Sequence, residues 1–339
     1  MAGPTNRFGD RGDERRVTPA VDEQDSWGPS VAQDGQFPTI DVVMQGYAFA
    51  TDTGHPAMCG VFLIEGPDAN GRRTRLLVDP AHVGRRPFLW DALAARNLTP
   101  QDIDMVAVTH AHWDHVQNID VFAHAPLLLH PDEYQYSLYP HINDWATPSW
   151  TGIMLETMQI REVREGDEIM PGVGIVDMPG HSPGSIGITV ETAEGLCVIT
   201  GDAIHFAGVA LTKVNPLVFW NTEQATRSIE RVVDLADVIY PGHDQPFRVT
   251  ATNEIEFLMK KDITLIGLTP GMPGVKFEDA MSLSAADMPG IEEQIPRFQS
   301  FAAEAERRRA QRREAGAGSA GGNGAGAATH QHEHRSSGH

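Results

Sequence analysis

Thr109-His110-Ala111-His112-Trp113-Asp114-His115 sets four metal-ligand side chains within the six residues 110–115. It follows the apolar run Met105–Val108, so it begins where a buried strand ends. Three imidazoles and a carboxylate gathered without partners would be costly to fold together. A bound cation removes that cost. Imidazole nitrogen with carboxylate oxygen and no thiolate suits Zn²⁺.

Three more candidates follow the same rule. His181 lies in Pro179-Gly180-His181-Ser182-Pro183-Gly184-Ser185, after the run Gly174–Asp177. Asp202 lies in Thr200-Gly201-Asp202, after Leu196–Ile199. His243 lies in Tyr240-Pro241-Gly242-His243-Asp244, after Val238–Tyr240. Each is flanked by Gly, which allows sharp turns and close backbone approach. The pattern predicts four strands delivering ligands to the same sheet edge. Seven ligands are too many for one metal and suit two sharing a bridging carboxylate.

Other β-branched runs read as strands at Gly60–Ile64, Arg75–Val78, Leu127–Leu129 and Ile186–Val190. Helical periods occupy Phe88–Arg96 and Thr222–Leu235. Asn221 is placed to cap the latter, with Gln224 reaching back. Patterning alone supports a mixed α/β or α+β chain. The ordered stretch is expected over 37–314, with 251–314 packed as helices, Pro296–Arg313 among them. Residues 1–36, rich in Gly, Pro, Asp and Arg, read as a mobile arm. Residues 315–339 read as a Gly/Ala linker with a solvated His-rich tip.

Composition excludes several classes. Of 339 residues, 26 are Lys or Arg and 46 are Asp or Glu, a net charge of −20. Such a charge repels phosphate backbones and anionic membranes, which argues against nucleic-acid partners. No apolar run approaches the ~18 residues of a membrane span, and no secretory h-region opens the chain. Cys59 and Cys197 sit in apolar stretches, as reduced, buried thiols of a cytoplasmic protein would.

The ordered series His-x-His-x-Asp-His, His181, Asp202, His243 resembles the metallo-β-lactamase fold superfamily. It is most similar to the binuclear hydrolases there, the acyl-homoserine lactonases and glyoxalase-II-type thioesterases. The resemblance covers about 40–250 and takes in the strand end Leu76-Leu77-Val78-Asp79. It implies an αβ/βα four-layer sandwich of two mixed sheets flanked by helices, with the metals at one rim. It also implies that His110, His112 and His181 hold one metal, that Asp114, His115 and His243 hold a second, and that Asp202 bridges them. Two divalent ions, zinc by the donor set, would be the cofactors. Asp79 matches an aspartate that supports a ligand histidine, or else merely caps its strand. Asp114 would also shuttle a proton. Many relatives are homodimers.

The same likeness implies direct hydrolysis of a small molecule, a lactone or carboxylic ester. Thioesters and phosphotriesters are alternatives. Outside hydrolysis, a mononuclear iron persulfide dioxygenase and an RNA-processing nuclease remain open. Lactonases carry Tyr three residues after the bridging Asp. Here that place is His205, a candidate hydrogen-bond donor to the substrate. Tyr134–Ile160 is rich in aromatic residues and Met, which suits a lid over an apolar acyl or aryl group, or a small core or dimer contact. Leu217, Phe219 and Trp220, after Asp202, are expected in the core, or else along the opposite wall of the site.

Overall fold

Alternation along Val61-Phe62-Leu63-Ile64 states the architecture. Successive strand side chains point to opposite faces, and here all four are buried. Val61 and Leu63 pack with Leu89 and Leu93, whereas Phe62 and Ile64 pack with Ile175, Ile186 and Ile188. One face therefore meets helices and the other meets a second sheet. The computed structural model describes residues 37–49, 54–265, 275–278 and 282–284. The expected arm 1–36, the helix Pro296–Arg313 and the tail 315–339 lie outside the described residues.

In chain order the strands are β1 (Thr39–Met44), β2 (Tyr47–Ala48), β3 (Ala57–Met58), β4 (Val61–Pro67), β5 (Arg73–Val78), β6 (Met105–Ala107), β7 (Leu127–Leu129) and β8 (Ile160–Glu162). They continue with β9 (Glu168–Met170), β10 (Val173–Asp177), β11 (Ile186–Thr192), β12 (Gly195–Gly201), β13 (Val238–Pro241), β14 (Phe247–Val249), β15 (Glu254–Phe257), β16 (Asp262–Leu265), β17 (Val275–Glu278) and β18 (Ser282–Ser284). The helices are α1 (Arg86–Ala94), α2 (Trp113–Val116), α3 (Pro131–Leu138), α4 (Thr151–Leu155), α5 (Ala207–Thr212) and α6 (Thr222–Leu235).

One sheet has the order β1-β4-β5-β6-β7-β8, parallel from β5 to β8. The other runs β18-β15-β14-β13-β12-β11-β10-β9, antiparallel except for the β12–β13 pair. Both are mixed. Phe62, Leu76, Val78 and Leu128 of the first sheet interdigitate with Ile175, Ile188, Ile199 and Val238 of the second. The outer face of the first sheet is covered by α1, α4 and the turn around Ile119 and Phe122. The outer face of the second is covered by α5 and α6 through Val209, Ile229 and Val232. This is the four-layer αβ/βα arrangement.

Sheets buried on both faces explain why the strands read as continuous apolar runs. Asn221 does cap α6, its side chain accepting from the Gln224 backbone N–H at 2.9 Å. Gln224 does not reach back, and its Oε1 has no partner.

Two expectations are corrected. Described residues between 251 and 284 form strands rather than helices. Glu254-Ile255-Glu256-Phe257 alternates exposed and buried, a period of two that extends the second sheet. The ligand-bearing strands also do not share one sheet. The run Met105–Ala107 belongs to the six-stranded sheet, while β10, β12 and β13 belong to the eight-stranded one. The ligands meet at a rim shared by both. Cys59 and Cys197 are free and buried. Among the described residues no helix is long and apolar enough to cross a membrane.

Candidate active site

Strand direction puts the chemistry in one place. β10, β12 and β13 run the same way, so the turns after them emerge at one end of their sheet. The turns after β5 and β6 meet them across the sandwich. Two backbone bonds tie the rim together, Ile186 N–H to Thr109 O at 2.9 Å and Gly60 N–H to Gly242 O at 2.6 Å. Gly242 must lack a side chain, because a Cβ there would lie 2.0 Å from Asp202 Oδ1.

All seven residues singled out from the sequence converge and are buried. His110, His112, His181 and Asp202 form one group, and Asp114, His115 and His243 another, with ligand atoms inside each group within 4.8 Å of one another. His181 Nε2 lies 3.2 Å from His110 Nε2 and 2.9 Å from His112 Nδ1. Ligands at ~2.0–2.1 Å from a tetrahedral zinc would stand about 3.3 Å apart. Asp202 reaches both groups, with Oδ1 3.4 Å from His115 Nε2 and Oδ2 3.2 Å from His243 Nε2 and 3.8 Å from His181 Nε2.

The imidazoles are oriented from behind. Asp79 accepts from Thr109 N–H, from the Thr109 hydroxyl and from His115 Nδ1, each at 2.8 Å. The Thr109 oxygen lies 3.1 Å from His110 Nδ1 and can accept its proton. His181 Nδ1 donates to Leu217 O. Each proton sits on the outer nitrogen, so the inner lone pairs of His110, His115 and His181 face the centre.

The electrostatics call for a cation. Burial holds His110 well below the usual histidine range and His181 at about 3, so both are neutral. Burial also opposes charge on His115 and His243, but nearby carboxylates, Asp202 and Asp114 foremost, override it. His115 is raised well above its ordinary value and His243 to about 10. The buried carboxylates thus draw positive charge to this spot. His112 Nε2, Asp114 Oδ2, His115 Nε2 and Asp202 Oδ1 are buried without a hydrogen-bond partner. Unpartnered carboxylate oxygens, converging ring nitrogens and an all-nitrogen-and-oxygen donor set fit bound divalent cations.

The site opens into a cavity of about 130 Å³ walled by Phe49, His55, Trp113, Trp145, Phe206, Leu217 and Phe219. Leu217 and Phe219 are half-buried wall residues rather than core, on a loop that the His181–Leu217 hydrogen bond ties to the rim. Trp220 is exposed. The aromatic stretch divides. Tyr134, Met154 and Met158 pack on the helical side of the first sheet, while Trp145 faces the cavity, its ring 5.5 Å from Phe219. His205 lines the cavity, buried, with no hydrogen-bond partner for either ring nitrogen, and burial lowers it to about 4.

Two buried carboxylates escaped the sequence reading. Glu133 accepts from Ala111 N–H (2.8 Å), Ser182 Oγ (2.7 Å) and Gly184 N–H (2.9 Å), clamping the His110/His112 turn to the His181 turn. Asp144 lies beside His112. Glu133 occupies the first turn of α3, where an acid ordinarily answers the helix dipole. Gly184 is what lets Glu133 in. A Cβ there would stand 2.2 Å from Glu133 N, a backbone atom that cannot yield. Gly184→Ala is therefore expected to destabilise the fold by about 2–3 kcal/mol. Thermal melting against the parent checks it, and an unchanged midpoint would refute the clamp.

A profile of the metallo-beta-lactamase superfamily matches residues 56–243, more than half of the chain. The chain belongs to that superfamily, and it is a metal-dependent hydrolase. It is 31% identical to metallo-beta-lactamase domain-containing protein 1 of Xenopus laevis over 215 residues, 62% of this chain and 82% of the relative. The human protein of that name is 30% identical over 52% of this chain, and the match spans only 60% of the human length. An N-acyl homoserine lactonase of Bacillus cereus is 28% identical over 43% of this chain and 57% of its own. A solved Staphylococcus aureus structure described as a probable metal-dependent hydrolase aligns with a TM-score of 0.50 and 19% identity, over 64% of this chain and 95% of that one. That last likeness is one of fold alone.

Proposed function

We propose that this chain hydrolyses a small lactone or carboxylic ester bearing an apolar acyl or aryl group, using two divalent cations, zinc by the donor set. The observation that carries the reading is the convergence of seven buried ligand atoms in two groups that Asp202 joins. His110, His112 and His181 would hold one cation, and Asp114, His115 and His243 the other. When bound, such a pair lowers the pKa of water from 15.7 toward about 7 and polarises the substrate carbonyl.

The chain's own groups do the rest. Asp114 Oδ2, without a hydrogen-bond partner, is placed to take a proton during attack and return it to the leaving oxygen. His205 offers a neutral ring N–H from the cavity wall to the developing oxyanion. The aromatic walls exclude water and hold the apolar arm. No Lys or Arg lines this cavity among the described residues. The carboxylates of a glutathione thioester would find no basic side chain there.

The test is proton release by zinc-loaded protein offered a long-chain acyl-homoserine lactone, an acyl thioester and an aryl phosphotriester in parallel. Turnover of the lactone, abolished by chelation and restored by zinc, is the expected result. Turnover of only another substrate moves the assignment to that class, and silence on all three overturns it. With the lactone, Trp145→Ala is expected to lower kcat/KM about tenfold for long acyl chains, the worth of two buried methylenes at ~0.8 kcal/mol each, and to spare short ones.

A further inference from the structure

Asp144 is a buried carboxylate on the segment between α3 and α4 that the chemistry above does not use. Its Oδ1 accepts from the backbone N–H groups of Ala146 at 2.9 Å and Thr147 at 3.0 Å. Its Oδ2 accepts from the Thr147 hydroxyl at 2.7 Å and the Tyr136 hydroxyl at 3.0 Å. Four donors fix one carboxylate in place and favour its ionised form. Oδ2 also stands 3.4 Å from Nε2 of His112, a buried nitrogen with no hydrogen bond of its own. The opposite nitrogen of that ring, Nδ1, lies 2.9 Å from His181 Nε2, inside the first ligand group.

His112 is thus presented the other way round from His110, His115 and His181, whose Nε2 atoms face the centre. Neutral imidazole carries one proton, and which nitrogen holds it depends on what each faces. An anion that can only accept stabilises the proton on the nitrogen beside it.

We propose that Asp144 is a positioning residue that holds His112 in its Nε2–H form, leaving the Nδ1 lone pair for the cation. The inference rests on the reading of His112 as a ligand. It also explains why an acid sits in an otherwise aromatic segment. Trp145, the next residue, forms the cavity wall, so one anchored turn sets both the wall and a ligand ring. Glu133 plays a different part, bonding backbone and hydroxyl groups rather than an imidazole.

The experiment uses the full chain, loaded with zinc and labelled with ¹⁵N-histidine. Imidazole ¹H–¹⁵N correlations report the tautomer of His112, assigned by loss of its signals in His112→Gln. The parent is expected to show a protonated Nε2 and a bare Nδ1. Asp144→Asn is expected to move the Nε2–H signal off its parent position, because its anionic acceptor is gone, and to weaken one of two zinc-binding steps about 10–100-fold by chelator competition, with the other step unchanged. Tyr136→Phe, which removes a single donor from Asp144, should shift both readouts in the same direction by less, and it carries the test if Asp144→Asn does not fold. Unaltered zinc affinities with the Nε2–H signal unmoved would overturn the inference and leave the proposed function standing. A parent that binds no zinc would overturn both.

Discussion

Asp202→Ala is expected to leave a folded protein that holds at most one cation tightly and turns over its substrate at least ~10³-fold more slowly. The reason is position. Asp202 lies within 4 Å of ring nitrogens from both ligand groups, those of His181, His115 and His243. Without it two cations would face one another with no shared anion, and their repulsion would expel one. Losing a cation forfeits several kcal/mol of transition-state stabilisation, and each 1.36 kcal/mol is a factor of ten in rate. The fold should survive. The loop is held by its backbone, through Asn215 Nδ2 donating to Asp202 O at 2.8 Å and Gly242 N–H to Gly201 O at 3.0 Å. Metal per chain after dialysis, turnover and thermal melting read the three parts separately. Two tightly bound cations with full activity would dispose of the bridging role given to Asp202.

The ligands were legible because strand burial made them so. The strands that deliver ligands are covered on both faces, so apolar residues run nearly to the rim, where His or Asp, beside Gly in three of the four turns, breaks the run. What a run cannot state is its partner. Met105-Val106-Ala107 and Val238-Ile239-Tyr240 look alike, yet one pairs with Leu76–Val78 and the other with Cys197–Ile199. Pairing lies in contacts remote along the chain, which is why the two sheets read as one edge. Glu254–Phe257 was missed for a related reason. Four residues of alternation are too few to announce a strand, and only its place beside β14 gives them meaning. Glu133 and Asp144 were hidden because each sits where an acid has an ordinary local use. One is in a helix's first turn, and the other accepts from residues two and three further on, as turn aspartates do. Their distant duties appear only when the His112 and His181 turns are folded against them.

Asp79→Ala is expected to unfold the rim rather than merely quiet it. One carboxylate serves three buried donors, Thr109 N–H, the Thr109 hydroxyl and His115 Nδ1–H, all at 2.8 Å. Stranding a buried donor costs about 1–3 kcal/mol, so the three together forfeit on the order of 3–5 kcal/mol after relaxation. Backbone adds to it. Asp79 has φ +53°, a left-handed conformation that Asp tolerates better than Ala. For a folded region of this size the melting temperature should fall by roughly 10 °C. Asp79→Asn separates support from orientation. It keeps the shape and one acceptor, so most of the stability should remain. The amide nitrogen then opposes a donor, and the His115 proton is driven to Nε2, the nitrogen that faces Asp114 and Asp202. A ligand nitrogen that carries a proton cannot bind a cation, so zinc affinity should fall about 10–100-fold in a protein that melts near the parent temperature. Equal zinc affinity in parent and Asp79→Asn would reduce Asp79 to a strand-end cap. A fall in affinity without a matching fall in stability would make it the group that aims His115.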